Sequence, residues 1–368
     1  MHFIALVTMN LPSISENKEE TQLITNTLTL LEECYRQNPN SLILMKIARF
    51  KSLLSSFSRA VDNKLNEIME PYYQDTENPA YLDFEDYTEI VTDEYTNGRI
   101  DCIKLPQGNI LRADDYHLAN QFCICDGKVF QKVAGPLFHI KRTKKAKKMK
   151  ALVSYPQRKL YETLAHYAEE VYNYIFDEEH QRYGYYFNPN MKWDWFSIGG
   201  RWADLFLVKT SCLEYFQDDR SWTNSYVKIA APSGYIWVCA ARKKDIEWQV
   251  MYEWKIQNLT ERFQRLEKMY HDGKLDPDMY ATITEEGIIA YGRVIYYKDE
   301  PLDAFLNRYA ASWRHYPVYF HDIVNEEQWI SLDNYQETEE MGHWVKQLDS
   351  YIDSLSDDTI LVGVDYHI

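Results

Sequence analysis

The chain has 368 residues, of which 45% are hydrophobic and 26% are charged, and its net charge at pH 7 is −16. These proportions are those of globular proteins and exclude a wholly disordered chain, and the length suffices for one large domain or two. A net charge of this size and sign repels bare nucleic acid at long range and attracts partners that have basic surfaces.

Three features of the sequence indicate a cytoplasmic protein. The six cysteines do not form the pattern of a disulfide framework, so we expect reduced thiols. Residues 1–8 carry no basic leader and no cleavage site follows them. No apolar run approaches the ~18 residues that a membrane span requires, so we expect no membrane partner.

The first part of the chain is predicted to form one strand and two helices. A short apolar run at residues 2–9 predicts a buried strand. Ser13 and Glu16 form a capping box in front of the first helix, and residues 38–40 separate it from a longer helix that ends before Pro71. Because the connection is short, we expect the two helices to form an antiparallel hairpin.

The next segments carry opposite charges. Residues 65–98 contain ten acidic residues and no Lys or Arg, with tyrosines interleaved. Two β-hairpins are predicted within residues 100–133, with turns at residues 106–109 and at Asp126-Gly127. The sign then inverts at seven basic residues: Lys141, Arg142, Lys144, Lys145, Lys147, Lys148 and Lys150.

The last part mixes helices and strands without a regular βαβ rhythm, which favours an α+β fold. We expect a mixed or mainly antiparallel sheet that uses both terminal strands, with helices packed on it and a helical-hairpin insertion. Residues 1–10 and 151–368 are predicted to form the core domain, and residues 11–150 an elaboration of it. The predicted elements are a helix from Pro156 to Ile175, a strand at 204–209, a hairpin at 226–240, a helix from Asp245 to Gly273, a hairpin at 280–291, a helix at 340–355 and a strand at 359–366.

The densest motif lies at residues 188–202. Trp193 and Trp195 are two residues apart, so in an extended segment they share one face while Asp194 points to the other. The glycine pair at 199–200 permits a tight turn that brings Arg201 and Trp202 close to the first two indoles. We expect one compact cluster of indole rings and a guanidinium.

This cluster has two interpretations. In the first, it is a ligand cleft whose walls are indole rings and in which Arg201 binds an anion. In the second, it is a rigid turn in which the Trp side chains belong to the core and an Arg201–Asp194 ion pair stabilises the turn. The second interpretation is favoured, because a buried Trp with a paired Arg is common scaffolding.

Residues 183–202 resemble a family of uncharacterised phage and bacterial proteins, which carry Asn-Pro-Asn-Ala-Lys-Trp-Asp-Trp-Tyr followed by Ile-Gly-Gly-Arg-Trp. The similarity extends to residues 244–248 and 282–287, and to the C-terminus, where the family typically ends in Val-Asp-Cys-His-Ile. The resemblance implies a phage or mobile-element setting, and a host-cell cytoplasm if the chain is phage-encoded. It implies no reaction, and Tyr366 in place of the family's Cys argues against thiol chemistry at that position.

Other residues are candidates for acid–base or metal chemistry. Asp365 and His367 share a face of the last strand and are either an acid–base or metal pair or a hydrogen-bonded strand end. A zinc site is disfavoured because the spacing of its candidate ligands fits no standard finger, and we predict no metal and no cofactor. The candidate ligands are His117, Cys123, Cys125 and His139.

The acidic and basic segments are candidate partner sites. Spaced carboxylates can occupy a basic groove, and the alternative is a disordered acidic loop. The basic run Lys141–Lys150 could contact nucleic acid or neutralise the acidic segment 65–98, but a solvated loop is favoured. The predicted partner-binding residues are Glu85, Asp86, Tyr87, Glu89, Asp93, Glu94 and Tyr95.

We therefore carry two main hypotheses for function. The first is a non-enzymatic acidic binding protein of phage or mobile-element origin that inhibits a host defence protein with a basic surface. The second is an enzyme or nucleotide-binding protein with a Trp/Arg-lined cleft. The chain has no P-loop, nucleophile elbow, zinc-protease motif or dinucleotide fingerprint, which supports the first.

Overall fold

A computed structural model describes residues 1–11, 18–133, 139–202, 204–217, 229–278, 280–290, 294–310, 316–332 and 338–368. The chain divides into two compact units: unit 1 comprises Met1–Gln74 and Asn190–Ile368, and unit 2 comprises Asp75–Pro189. The helices of the described residues are α1 Lys18–Gln37, α2 Ser41–Ser52, α3 Ser56–Met69, α4 Thr88–Asn97, α5 Tyr116–Ala119, α6 Lys144–Lys147, α7 Leu164–Tyr172, α8 Trp248–Asp272, α9 Leu302–Ala310 and α10 Thr338–Ser354.

Strands make up 29% and helices 41% of the structure, and a mixed sheet uses both terminal strands, so the predicted α+β class is confirmed. The strands are β1 His2–Met9, β2 Asp83–Asp86, β3 Arg99–Lys104, β4 Ile110–Arg112, β5 Phe122–Cys125, β6 Lys128–Val133, β7 His139–Lys141, β8 Lys150–Pro156, β9 Ile175–Asp177, β10 Arg182–Phe187, β11 Trp195–Ile198, β12 Phe206–Lys209, β13 Tyr215–Phe216, β14 Tyr235–Val238, β15 Ala240–Arg242, β16 Ala281–Thr284, β17 Gly287–Ala290, β18 Val294–Tyr297, β19 Asp322–Val324, β20 Trp329–Ser331 and β21 Ile360–His367.

The two ends of the chain form the centre of the main sheet in unit 1. β1 pairs antiparallel with β21 along its full length, from His2 opposite His367 to Met9 opposite Ile360. The other edge of β1 pairs in parallel with β19. The other edge of β21 is shared by β15 and β11, with Gly363 between the two. Both terminal strands are therefore flanked by pairing on each side.

The faces of this sheet bury two separate cores. Side chains alternate along a strand, so Ile4 and Leu6 of β1 face one core and Ala5 and Val7 face the other. Core one contains residues of α8 and α10, such as Trp344. Core two contains the apolar stripe of α3. The continuous apolar runs of β1 and β21 follow from burial on both faces.

A capping arginine divides the predicted second helix into α2 and α3. The guanidinium of Arg59 donates to the carbonyl oxygens of Leu53 and Leu54, at 2.9 and 3.0 Å, and Arg59 is almost fully buried. These carbonyls directly follow the last residue of α2, Ser52, and three residues separate α2 from α3. Because the apolar periodicity continues across the break between α2 and α3, the sequence pattern could not reveal that break. The capping box at Ser13 and Glu16 lies outside the described residues.

Three further predicted elements differ in the structure. After Pro156 a short 3-10 turn comes first, and α7 begins only at Leu164, where the Thr163 hydroxyl accepts a hydrogen bond from the His166 N–H. The predicted hairpin at 226–240 is wrong in its described part, because β14 pairs with β12. The predicted N-cap Asp245 lies in a 3-10 turn before α8, whereas Gly273 does end that helix in the left-handed conformation.

The boundaries of the two units differ from the predicted domains. The predicted elaboration began at residue 11, but α1, α2 and α3 belong to unit 1, because α3 contributes Phe57, Val61 and Leu65 to core two. Unit 2 in turn extends to residue 189 rather than to 150.

Unit 2 contains two small cores whose surroundings carry opposite charge. One core lies among β3, β4, β5, β6, β8, α5 and α6, and we call residues 99–159 the basic lobe. The other lies among α4, α7 and β10, and we call residues 75–98 and 160–189 the acidic lobe. The basic lobe has 14 basic and 4 acidic residues, and the acidic lobe has 14 acidic residues and one Arg.

We expect Gly184→Ala to destabilise the acidic lobe by roughly 1–3 kcal/mol, because a Cβ at Gly184 would lie 1.9 Å from the backbone oxygen of Glu85 on the paired strand β2. Gly342→Ala in α10 is the control. Nothing lies within 4 Å of its Cβ, so it should stabilise the chain by about 0.5–1 kcal/mol. Urea unfolding measures both, and equal midpoints for the two variants would contradict this account of β2–β10 packing.

Candidate functional site

The carboxylate of Asp365 connects three segments of unit 1 through hydrogen bonds. Its side chain is 1% exposed, and its Oδ1 lies 2.9 Å from the His2 Nδ1. Its Oδ2 accepts a hydrogen bond of 2.8 Å from the backbone N–H of Arg201. That contact requires the left-handed turn at Gly200, where a Cβ would lie 2.3 Å from the Asp365 Cβ. The carboxylate therefore joins the first strand, the glycine turn and the last strand.

His367 has a different partner. Its Nδ1 lies 2.9 Å from Oδ1 of Asp194, and the Asp194 N–H donates to the His367 carbonyl at 3.0 Å. The rings of His367 and His2, which lie opposite each other on β21 and β1, have centroids 5.0 Å apart. Asp365 and His367 do not bond to each other. The structure instead places two imidazole–carboxylate pairs side by side.

This arrangement limits the chemistry that the site can perform. An imidazole whose Nδ1 faces a carboxylate keeps its Nε2 for proton transfer or for a metal. Across the described ranges, however, no group of three or more His, Cys, Asp or Glu side chains could hold a metal ion. The buried Asp365 carboxylate is occupied on both oxygens. We interpret the His2–Asp365 pair as a latch between the chain ends. The Asp194–His367 pair joins the last strand to the segment before β11.

The predicted compact indole cluster is not formed, because Trp193 and Trp202 pack on opposite faces of the sheet. Trp193 belongs to core two, where its Nε1 donates to the Met69 carbonyl at 3.0 Å and its ring stacks on Tyr73 at 4.4 Å. Trp202 packs against core one. Trp193 precedes β11 and is turned towards α3 by a hydrogen bond from its own N–H to the Tyr72 carbonyl, so strand alternation does not apply to it.

Trp195 and Arg201 do not line a cleft with these rings. Trp195 is 49% exposed. Among the ring pairs of the described residues, its ring contacts only that of His2, in a T-shaped arrangement with centroids 5.9 Å apart. Arg201 is exposed, and no ion pair between Arg201 and Asp194 occurs in the described part of the chain, since Asp194 pairs with His367. The ligand-cleft interpretation therefore has no geometric support here, and the role of the glycine turn is to hold Asp365.

In the acidic lobe, two predicted partner residues are occupied by tyrosine hydroxyls. Glu85 accepts hydrogen bonds from Tyr87 at 2.9 Å and Tyr185 at 2.8 Å. The bond to Glu85 and burial raise the pKa of Tyr185 to about 12. Glu94 accepts from Tyr167 and from Tyr172. These carboxylates hold the lobe together and are half-buried.

The tyrosine rings form a continuous stack. The Tyr174 ring stacks on Tyr87 at 5.0 Å, on Tyr172 at 5.2 Å and on Tyr185 at 5.8 Å. Tyr95 contacts Tyr167 at 5.7 Å in the adjoining core. Residues 83–97 therefore form β2 and α4 on a tyrosine scaffold, and the disordered-loop alternative is wrong for them.

The remaining predicted partner residues lie on the surface. Asp86, Glu89 and Asp93 are exposed. Asp86 accepts a 2.9 Å hydrogen bond from the Thr88 N–H at the start of α4 and pairs with Arg182, and its pKa is lowered to about 2, chiefly by the Thr88 bonds.

The basic run is folded, so the favoured solvated-loop interpretation is also wrong. Residues 141–150 form the end of β7, the helix α6 and the start of β8. Ala146 is buried in the core of the basic lobe, and the Thr143 hydroxyl accepts a hydrogen bond from its N–H. The seven basic side chains are all exposed.

Sequence reasoning missed a buried carboxylate in core two. Asp322 is 0% exposed, and its Oδ2 accepts from the Tyr366 hydroxyl and lies 3.0 Å from the His321 Nδ1. Tyr366 is 44 positions from Asp322 along the chain and His321 is one position away, and no sequence motif connects the three residues. Tyr366 thus has a hydrogen-bonding role.

A polar groove of about 270 Å³ was also missed. It lies at the carboxyl ends of the parallel strands β1 and β19, a common position for ligand sites in open sheets. Four of its polar residues are bonded in pairs: the Thr8 hydroxyl to Tyr351, and the Thr359 hydroxyl to Asn10 at 3.1 Å. The available signal was Thr8 and Asn10 at the end of a buried strand. The lining residues are Thr8, Met9, Asn10, Asn325, Glu326, Glu327, Tyr351, Leu355 and Thr359.

Comparisons with protein-family models, with curated proteins and with solved structures found no match. The resemblance to phage and bacterial proteins therefore stays a prediction. None of the described helices combines the length and the apolar character needed to cross a membrane.

We expect Asp365→Ala to cost roughly 3 kcal/mol of the unfolding free energy, because it leaves the Arg201 N–H and His2 without their shared acceptor. Asp194→Ala should cost less than about 1 kcal/mol, because its pair with His367 is solvent-exposed. Urea unfolding of unit 1 gives both values. A cost for Asp194→Ala equal to that of Asp365→Ala would rule out the latch at Asp365.

The acidic lobe should lose stability as the pH falls from about 4 to 2. The folded pKa of Asp86 lies below its ordinary value of 3.8, so its contribution is complete above that value and disappears as the carboxylate is protonated. Asp86→Asn should reduce this pH dependence, which thermal melts at stepped pH would measure. An unchanged slope would show that Asp86 does not anchor α4.

Proposed function

We propose that the chain is a non-enzymatic binding protein whose acidic lobe docks on a basic surface of a host protein. The observation that carries the proposal is the surface of the packed helices α4 and α7, which contain no Lys or Arg. Their exposed carboxylates are Glu89 and Asp93 on α4 and Glu169 and Glu170 on α7. Such a surface attracts a basic partner and speeds the encounter.

The tyrosine stack supports the same proposal. It fixes α4 and α7 through the bonds of Tyr167 and Tyr172 to Glu94, so the carboxylates are presented on a folded surface. A preorganised surface loses less conformational entropy on binding than a disordered acidic loop would. Tyr172 and Tyr186 are 36% and 41% exposed, and tyrosine is enriched in the cores of protein interfaces.

The phage and bacterial resemblance supplies the proposed setting. If the chain is phage-encoded, it acts in the cytoplasm of the host cell, and a defence protein with a basic nucleic-acid groove is the partner that the acidic lobe fits. Spaced carboxylates on a rigid surface can occupy such a groove in place of phosphates. The chain would then inhibit the defence protein by competing with its nucleic acid.

The alternative of a nucleotide-binding cleft has less support. It required Trp193, Trp195, Arg201 and Trp202 around one cavity, whereas Trp193 and Trp202 pack into different cores. The enzyme or nucleotide-binding protein with a Trp/Arg-lined cleft therefore stays the second hypothesis.

The experiment is capture of bacterial proteins by an acidic-lobe variant with Glu89, Asp93, Glu169 and Glu170 changed to their amides. We expect at least about a tenfold loss of a captured basic protein, since several interfacial charges are removed together. The loss should shrink as salt is raised to about 0.5 M, where electrostatic attraction is screened.

The matched control removes four exposed carboxylates of unit 1 by amide substitution, so the net charge changes equally. Capture by the control should equal that of the parent chain. Equal capture by the acidic-lobe variant and the parent would contradict the proposal. The control residues are Glu33, Asp272, Glu285 and Glu286.

A further inference from the structure

The basic lobe carries the largest local excess of positive charge for a segment of its size in the chain. Residues 99–159 hold 14 basic and 4 acidic residues, a net charge of +10 in a chain whose total is −16. A folded segment with this balance needs counter-charges, and these come from its own carboxylates, from salt ions or from a bound partner.

The four carboxylates of the lobe have roles away from the basic run. Asp101 accepts a hydrogen bond from the Ser154 N–H at 2.9 Å, and Asp114 pairs with Arg112 at 2.7 Å. Asp115 caps the first turn of α5, and Asp126 occupies a tight hairpin turn with φ of 49°. Among the described residues, no ion pair involves the seven basic side chains of 141–150.

The fold holds these charges close together. α6 places Lys144, Lys145 and Lys147 in one helical turn with Lys148 at its C-cap, and Ala146 anchors that turn in the core of the lobe. Lys104 of β3 lies directly opposite Lys150 of β8 in the antiparallel register, and both are exposed. Like charges directly opposite each other destabilise a strand pair, so this arrangement costs stability when no anion lies nearby.

We infer that the basic lobe binds the phosphate backbone of a nucleic-acid duplex, at a site formed by α6 and the adjoining ends of β3, β7 and β8. This site is independent of the acidic surface of α4 and α7. Lysines at fixed positions contact phosphates and release their condensed counterions, which drives sequence-independent binding. The site lies on Lys104, Lys141, Arg142, Lys144, Lys145, Lys147, Lys148 and Lys150.

The composition of the site favours a duplex over a single strand. Proteins that bind single strands stack bases on aromatic side chains, and residues 141–150 contain no aromatic residue. The negative charge of the rest of the chain does not prevent the contact. At about 0.15 M salt the Debye length is about 8 Å, so charges remote from the site are largely screened.

The experiment measures fluorescence anisotropy of labelled duplexes of about 20 base pairs, DNA and RNA in separate arms, at several salt concentrations. We expect the full chain to bind with a Kd of about 1–10 μM at about 50 mM salt, and log K to fall with log salt with a slope of about −4. Binding of both duplexes assigns the site to the shared phosphate backbone, and binding of one only assigns it to that duplex form.

The site variant changes Lys144, Lys145, Lys147 and Lys148 to Gln. We expect at least about a 30-fold loss of affinity at about 50 mM salt and a salt slope shallower by about 3. The matched control changes four exposed lysines elsewhere to Gln, so its net charge is the same, and it should bind like the parent chain. The control residues are Lys46, Lys268, Lys274 and Lys298.

A second variant separates binding from folding. Lys150→Glu puts opposite charges across the β3–β8 pair with Lys104, so the melting temperature should stay equal or rise while duplex affinity falls about tenfold. The inference is overturned if the parent binds neither duplex, if the site and control variants bind equally, or if vesicles containing phosphatidylserine bind more tightly than either duplex.

Discussion

The pairing of the first strand with the last is the constraint on which the rest of unit 1 depends. All eight residues of β1 are in register with β21, and each strand is paired on its other edge as well. Both cores are built on these two strands, because the side chains of β1 alternate between them. The buried carboxylate of Asp365 adds a polar bridge from β21 to His2 and to the glycine turn before β12.

Unit 2 follows a different principle, the separation of charge between two small lobes. The acidic lobe places carboxylates inside as well as outside: Glu85 and Glu94 hold tyrosine hydroxyls, while Glu89 and Asp93 remain exposed. The basic lobe keeps its lysines outside, whereas Ala146 of the basic run is buried in the core of the lobe and Met149 packs against it. The net charge of −16 is therefore the sum over a chain that has one acidic and one basic surface. The acidic surface suits a basic partner and the basic surface suits an acidic one.

The sequence could predict elements that rest on local patterns. The terminal strands, the hairpin turn at Asp126-Gly127 and the end of α8 at Gly273 follow from apolar runs and from glycine in left-handed conformations. The contacts between distant segments could not be predicted. The direction of the Trp193 side chain follows from the hydrogen bond of its N–H to the Tyr72 carbonyl and not from strand alternation. The end of α2 depends on the Arg59 guanidinium, and apolar periodicity does not reveal this contact.

The sequence predicted several residues of the candidate site, but not which of them contact each other. Asp194, Asp365 and His367 do lie near one another, but Asp365 bonds to His2 from the opposite end of the chain, while His367 bonds to Asp194. Native-state hydrogen exchange tests the central role of the terminal strand pair most directly. The amides of β1 and β21 should exchange only through global unfolding of unit 1, with the highest free energy in that unit. Exchange of either strand through a local opening, while β12 and β14 stay protected, would contradict it.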